Sequence, residues 1–199
     1  QLITRLIVDR KVSTDYAKSC EKIAPNAEII RLPFGPKRYI RKELLWPYLD
    51  DLADQIVEFL KKQQLPNWIH AHYADAGYVG ALVSRRLGIP LVFTGHSLGR
   101  EKQRRLLAGG VDYEQIEHTY SISRRIDAEE LALAHATLVI TSTRQEAEKQ
   151  YARYGRFVPG KAEVVPPGVD LSRFHATQVN SEMAEVDKLL ASFLRDPSL

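Results

Sequence analysis

Residues 68–99, WIHAHYADAGYVGALVSRRLGIPLVFTGHSLG, decide the fold. Two short apolar runs, at 68–72 and 91–94, flank a segment in which small and apolar residues recur at helical spacing from Ala76 to Leu87. Gly88 terminates that segment and Pro90 opens the second run. Strand, helix, strand in this order predicts a parallel pair joined by a crossover helix. In open α/β sheets ligands gather in the crevice outside the carboxyl ends of the strands. The first run delivers His70, His72, Tyr73 and Asp75 to that edge, and the second delivers Thr94, His96 and Ser97. Neighbouring strand ends are therefore expected to share one pocket.

Outward from this unit the same alternation continues. Apolar runs at 2–8 and 27–32 read as strands, the second ended by Pro33, Gly35 and Pro36. Leu45, Leu49, Leu52, Ile56 and Phe59 or Leu60 recur at helical steps. A short helix is predicted over 100–107, closed by Gly109 and Gly110, followed by one long charge-rich helix over 112–134. A strand at 138–140 leads into TSTRQEAE, where Ser142 or Thr143 with Glu146 forms a capping box. A last strand at 163–165 ends at Pro166 and Pro167, and 181–194 reads as a helix. The fold class predicted is α/β, a Rossmann-like parallel sheet with helices on both faces. One domain is expected over 1–170, with 171–199 as linker and helix.

The composition, 44% hydrophobic and 27% charged over 199 residues, is that of a soluble globular domain. No apolar run approaches the roughly 20 residues of a membrane helix, so no membrane partner is expected. The start, QLITRLIVDRK, lacks the features of a signal peptide. The single cysteine, Cys20, excludes an internal disulfide and favours a reducing, cytoplasmic setting. A net charge of +3 arises from 28 basic residues interleaved with 25 acidic ones, without the uninterrupted basic stripe of a nucleic-acid binder. Short basic pieces, KRYIRK and REKQRR, suit a small anionic ligand better.

His70, His72, Asp75 and His96 could in principle ligate a metal, but there is no His-Glu-x-x-His arrangement and no cysteine pair, and no metal is expected. Gly95, Ser97 and Gly99 resemble the elbow of a serine hydrolase. The histidines that follow, His118, His135 and His175, do not fall in obvious strand-end loops. Anion binding fits better, because Lys37, Arg38, Arg41, Lys42, Arg100, Lys102, Arg104, Arg105, Arg124 and Arg125 fall just after strands or on the helices that follow. Guanidinium groups grip phosphate bidentately and lysine adds a point charge. With His and Asp at the same edge to bond hydroxyls, a phosphorylated sugar is the expected ligand. The first glycine is Gly35, so no nucleotide phosphate loop precedes these segments.

PFGPKRYIRKELLWPY, HAHYADAG, LVFTGHSLGREK, SRRIDAEEL, LVITSTRQE and VVPPGVD resemble, in order and spacing, the sucrose-phosphate synthases, over about residues 29 to 171. These are retaining glycosyltransferases built of two facing Rossmann-like halves. The resemblance implies transfer of glucose from UDP-glucose, or ADP-glucose, to fructose 6-phosphate, giving sucrose 6-phosphate, with no cofactor and no metal. By motif position, Arg38, Lys102 and Arg125 resemble the clamp on the acceptor phosphate, Arg38 standing where lysine is common. His96 resembles the histidine facing the transferred glucosyl unit, and His72, Tyr73, Asp75, Ser97 and Arg124 complete the implied substrate contacts. The family's Gly-Gly-Gln loop and its Glu-x7-Glu donor motif are not found in these residues. The chain is thus expected to be an acceptor half lacking its first strand and donor domain, inactive alone. A sugar-phosphate binding module and a hydrolase using Ser97 are the competing expectations.

Overall fold

The computed structural model describes residues 1–170, together with 172, 185, 186 and 188. Two units divide at Pro166: Gln1–Pro166 and Pro167–Leu199. The helix expected over 181–194 lies outside the described residues apart from 185, 186 and 188, which are helical.

The first unit opens with a three-stranded sheet in the order β1-β3-β2, formed by β1 (Leu2–Arg5), β2 (Cys20–Ala24) and β3 (Ala27–Leu32). β1 runs parallel to β3, and β2 pairs with β3 as a hairpin. The sequence reading did not include β2, whose residues CEKIA are largely exposed and carry no apolar alternation. After Pro33 the chain turns into α1 (Leu49–Lys61), whose Leu49, Ala53, Val57 and Leu60 are buried along one stripe. That stripe joins Phe34, Val79, Val83 and Ile89 in one of two apolar clusters.

A four-stranded parallel sheet follows, in the order β4-β5-β6-β7, from β4 (Ile69–His72), β5 (Leu91–Thr94), β6 (Leu138–Thr141) and β7 (Ala162–Val164). The crossover between its first two strands is α2 (Tyr73–Leu87), which begins three residues earlier than the spacing predicts and stops at Gly88 with φ +68. Only glycine takes that left-handed turn without strain. Gly77 serves a different purpose: a Cβ there would stand 2.6 Å from the Phe93 ring and 3.0 Å from Ala132 Cβ. Its absence lets α2 lie against β5 and the helix that carries Ala132 at once.

The long helix expected over 112–134 is two helices, α4 (Tyr113–Tyr120) and α5 (Ile122–His135), preceded by α3 (Gly99–Ala108). The break is Ser121, in the left-handed region with φ 47. Glu117 secures the restart by accepting from the Ser123 N–H at 2.9 Å and its hydroxyl at 2.7 Å. Charge spacing alone does not reveal this kink, because both halves continue a helical pattern. The capping box forms: Glu146 N–H donates to Thr143 Oγ1 at 3.0 Å, and Ser142 N–H to the Glu146 carboxylate at 2.8 Å. It launches a single π turn, Glu146–Gln150, and a 3-10 turn, Tyr151–Arg153. Leu91, Phe93, Ile116, Ile122, Leu133, Val139 and Tyr151 form the second, larger core under this sheet.

Candidate active site

Two adjacent strand ends carry non-glycine residues in the left-handed region, Tyr73 with φ 77 just after β4 and His96 with φ 57 just after β5. Such backbone persists only when its surroundings fix it. The loop after β5 is held from below. Gly95 N–H donates to the buried Tyr151 hydroxyl at 2.7 Å, and Gly99 N–H to both Glu129 oxygens at 3.0 and 2.9 Å. Glu129, 0% exposed, also accepts from Arg125 Nε at 3.0 Å and from the Tyr154 hydroxyl. Burial pushes the Glu129 carboxyl up from the usual range, opposed by Tyr154 and Arg125.

Arg125, also buried, extends from this support into the site. Its Nη2 donates to the Ser97 carbonyl and, at 3.3 Å, to the Ser97 hydroxyl, while its guanidinium carbon lies 4.6 Å from the Tyr73 ring centre. Among the described residues Nη1 makes no hydrogen bond. Above it a pocket is lined by Lys42, Glu43, Trp46, Tyr73, Asp75, Lys102, Tyr120 and Arg125. Lys42 Nζ donates to the Tyr73 hydroxyl at 2.8 Å, and Lys102 Nζ sits 3.4 Å from the Tyr120 ring centre. Burial lowers the Lys102 pKa, and the charges of Arg125 and Lys42 lower it further, opposed by the Glu43 carboxylate. Burial raises the Asp75 carboxyl, against the pull of its own backbone contacts, Lys42 and Arg125.

Beside this pocket three imidazoles lie in a row, His72 stacked on His96 and tilted against His70. His72 Nδ1 and His96 Nε2 share a hydrogen bond of 2.9 Å, and the His70 and His72 rings are centred 4.0 Å apart. His70 Nε2 meets Thr94 Oγ1 at 2.9 Å. Among the described residues no group of three or more His, Cys, Asp or Glu is arranged to hold a metal ion. Ser97 has the Arg125 guanidinium as its hydroxyl's partner, a donor that cannot take up a serine proton, so the hydrolase geometry is not assembled here.

Of the residues singled out by sequence, the structure brings Tyr73, Asp75, Lys102 and Arg125 into one pocket, with Ser97 touching Arg125 and His96 next to Ser97. Arg38 is not in the lining: its side chain is exposed and lies on the Asp9 side of β1, and its carbonyl accepts from Arg5 Nη2 at 3.3 Å. The cation reaching the pocket from that loop is Lys42. Arg124 is exposed and faces Tyr78 instead. Glu43, Trp46, Tyr120 and Glu129 were not read from sequence. Charge spacing carried part of the signal: Glu101 pairs with Arg104 and Arg105 one turn on, at 2.7 and 2.8 Å, leaving Lys102 unclaimed.

A family model described as the sucrose synthase first GT-B domain matches residues 1–181. The chain belongs to this family. Spinach (Spinacia oleracea) sucrose-phosphate synthase is 43% identical to this GT-B first domain, the match covering 73% of the chain and 17% of the relative. Arabidopsis thaliana probable sucrose-phosphate synthase 3 is 38% identical, covering 97% of the chain and 22% of the relative. The solved sucrose-phosphate synthase of Thermosynechococcus elongatus superposes with a TM-score of 0.67 at 25% identity, covering 93% of this chain and 41% of that one. This GT-B first domain thus spans about a fifth of the length of these curated relatives. Among its described residues no helix is long and apolar enough to cross a membrane.

Proposed function

We propose that the unit Gln1–Pro166 is the acceptor-binding half of a sucrose-phosphate synthase, which moves glucose from UDP-glucose, or ADP-glucose, to fructose 6-phosphate with retention. The observation that carries this reading is the meeting of Lys42, Lys102 and Arg125, from three separate segments, around one pocket. A phosphoryl dianion is the ligand such a set of cations fits, and charge-assisted hydrogen bonds to it are the strong ones. Tyr73 and Asp75 line the same pocket and suit the sugar hydroxyls. In this reading Lys42 takes the clamp position that motif matching gives to Arg38, and Arg124 stands outside it.

The glycosyl transition state is cation-like at the sugar, while negative charge grows on the departing diphosphate. The protein's task is to fix the acceptor hydroxyl against the anomeric carbon and to place donors where that charge develops. His96, held by His72 at the end of β5, is the side chain assigned to the glucosyl side. Protein cations supply the charge the acceptor phosphate needs, and the reading requires no metal or cofactor.

The test supplies UDP-glucose to the longer polypeptide that carries this domain, with fructose 6-phosphate or fructose as acceptor. The expected result is sucrose 6-phosphate from the phosphorylated sugar and strong discrimination against fructose. Equal use of both acceptors would overturn the assignment of the pocket.

A further inference from the structure

His96 stands at the centre of a tight turn. Ser97 N–H donates to Gly95 O, two residues back, at 2.6 Å, and the φ of 57 at His96 makes this the strained form of the three-residue turn. The flanks of the turn are tied down, Gly95 N–H to the Tyr151 hydroxyl at 2.7 Å and Gly99 N–H to Glu129 at 3.0 and 2.9 Å. The His96 ring is tied to His72 Nδ1 at 2.9 Å. Between these anchors the Ser97 carbonyl and hydroxyl both accept from one nitrogen, Arg125 Nη2.

A guanidinium is a rigid plane with its donors in a fixed fork. In Arg125 that plane joins two places. Nε donates to Glu129 at 3.0 Å and Nη2 holds Ser97, while Nη1 makes no hydrogen bond among the described residues and the side chain lines the pocket with Lys42 and Lys102. Lys102 feels the like charges of Arg125 and Lys42, and Glu43 offsets the smaller part of them. A dianion seated among these cations turns that repulsion into attraction and engages Nη1. Because the plane moves as a unit, fixing Nη1 also fixes where Nη2 meets Ser97. Glu129 completes the linkage, since the same carboxylate accepts from Arg125 and from Gly99 at the start of α3.

We propose that Arg125 is also a positioning residue for His96: the phosphoryl group of the acceptor, by seating on Arg125, sets the turn that presents the His96 ring, and so raises turnover as well as affinity. This rests on the acceptor pocket proposed above and on His96 facing the glucosyl unit. A ligand shifts a conformational equilibrium only by binding one arrangement better than another, and here the favoured one is the arrangement in which Arg125 holds Ser97. Binding energy from a part of the substrate remote from the reacting atoms is thereby used to align the reacting centre. An acceptor without its phosphoryl group loses kcat, and the missing group can act from a separate molecule.

Glucosyl transfer from UDP-glucose to fructose by the longer polypeptide, with and without phosphite dianion, tests this on the unsubstituted protein. Phosphite is expected to raise kcat with fructose saturably, on the order of tenfold, and to compete with fructose 6-phosphate when that is the acceptor. Arg125→Lys keeps a positive charge but cannot span Glu129, Ser97 and a phosphoryl group together. In that variant phosphite is expected still to compete with fructose 6-phosphate and no longer to accelerate transfer to fructose. Competition without acceleration in the unsubstituted protein would overturn the coupling and leave the pocket assignment standing, as would full acceleration in Arg125→Lys. Phosphite without effect on either acceptor would overturn both.

Discussion

Replacing Lys102 with methionine separates ligand binding from folding. Lys102 has no ion pair among the described residues, and its ammonium rests on the Tyr120 ring at 3.4 Å. Removing it forfeits a cation–π contact of about 0.5–1 kcal/mol, and it relieves repulsion from Arg125 and Lys42. The two effects offset, so the melting temperature should move by less than about 4 °C. Binding should respond differently, since a hydrogen bond to a charged group contributes about 1.5–3 kcal/mol, or about 12- to 140-fold in Kd. Calorimetric titration with fructose 6-phosphate reads the affinity, with fructose as the control that should not change. Affinity of the unsubstituted chain should also fall as pH rises through the Lys102 pKa, which lies below 10.5, and Lys102→Met should remove that limb. A Kd within twofold of the parent, or a large fall in melting temperature, would refute the reasoning.

Glu129→Gln keeps the side chain's shape but leaves Arg125 buried without its counter-charge. We expect a loss of about 3–5 kcal/mol, a fall of about 6–20 °C by thermal denaturation. Gly77→Ala forces a methyl against Phe93 at 2.6 Å and Ala132 at 3.0 Å, and should cost about 1–3 kcal/mol in denaturant unfolding while preserving the fold. His70 and His72 are held below the ordinary imidazole value of 6.5, first by burial and then by neighbouring imidazoles. Below that pH the unfolded chain binds more protons than the folded one. Stability should therefore fall as the pH drops from 6.5 through the lower folded values, and His70→Gln should flatten the decline between pH 7 and pH 5, measured by urea unfolding.

The parallel core was legible because β5 and β6 are short apolar runs and α2 and α3 end at glycines, Gly88 and Gly109. β2 was not, since an exposed edge strand has no apolar face to read. The kink at Ser121 escaped because helical spacing persists through it, and only a side-chain bond from Glu117 marks the restart. Within the site, Tyr73 and Asp75 were visible from their places after a strand, whereas Lys102 and Arg125 stood out from the other cations only through the family resemblance. Arg38 and Lys42 lie four positions apart in an irregular connection, where spacing fixes no direction, and only the fold shows which reaches the pocket. Glu129 reads as one more acid on a charged helix, and its burial under Gly99 is a tertiary fact.

A crystal structure of this chain with fructose 6-phosphate bound tests the central claim most directly. The account predicts phosphoryl oxygens within about 2.7–3.2 Å of Lys102 Nζ and the Arg125 guanidinium, with Lys42 closing the third side. A phosphoryl group seated against Arg38 or Arg124, with Lys102 and Arg125 left bare, would contradict it.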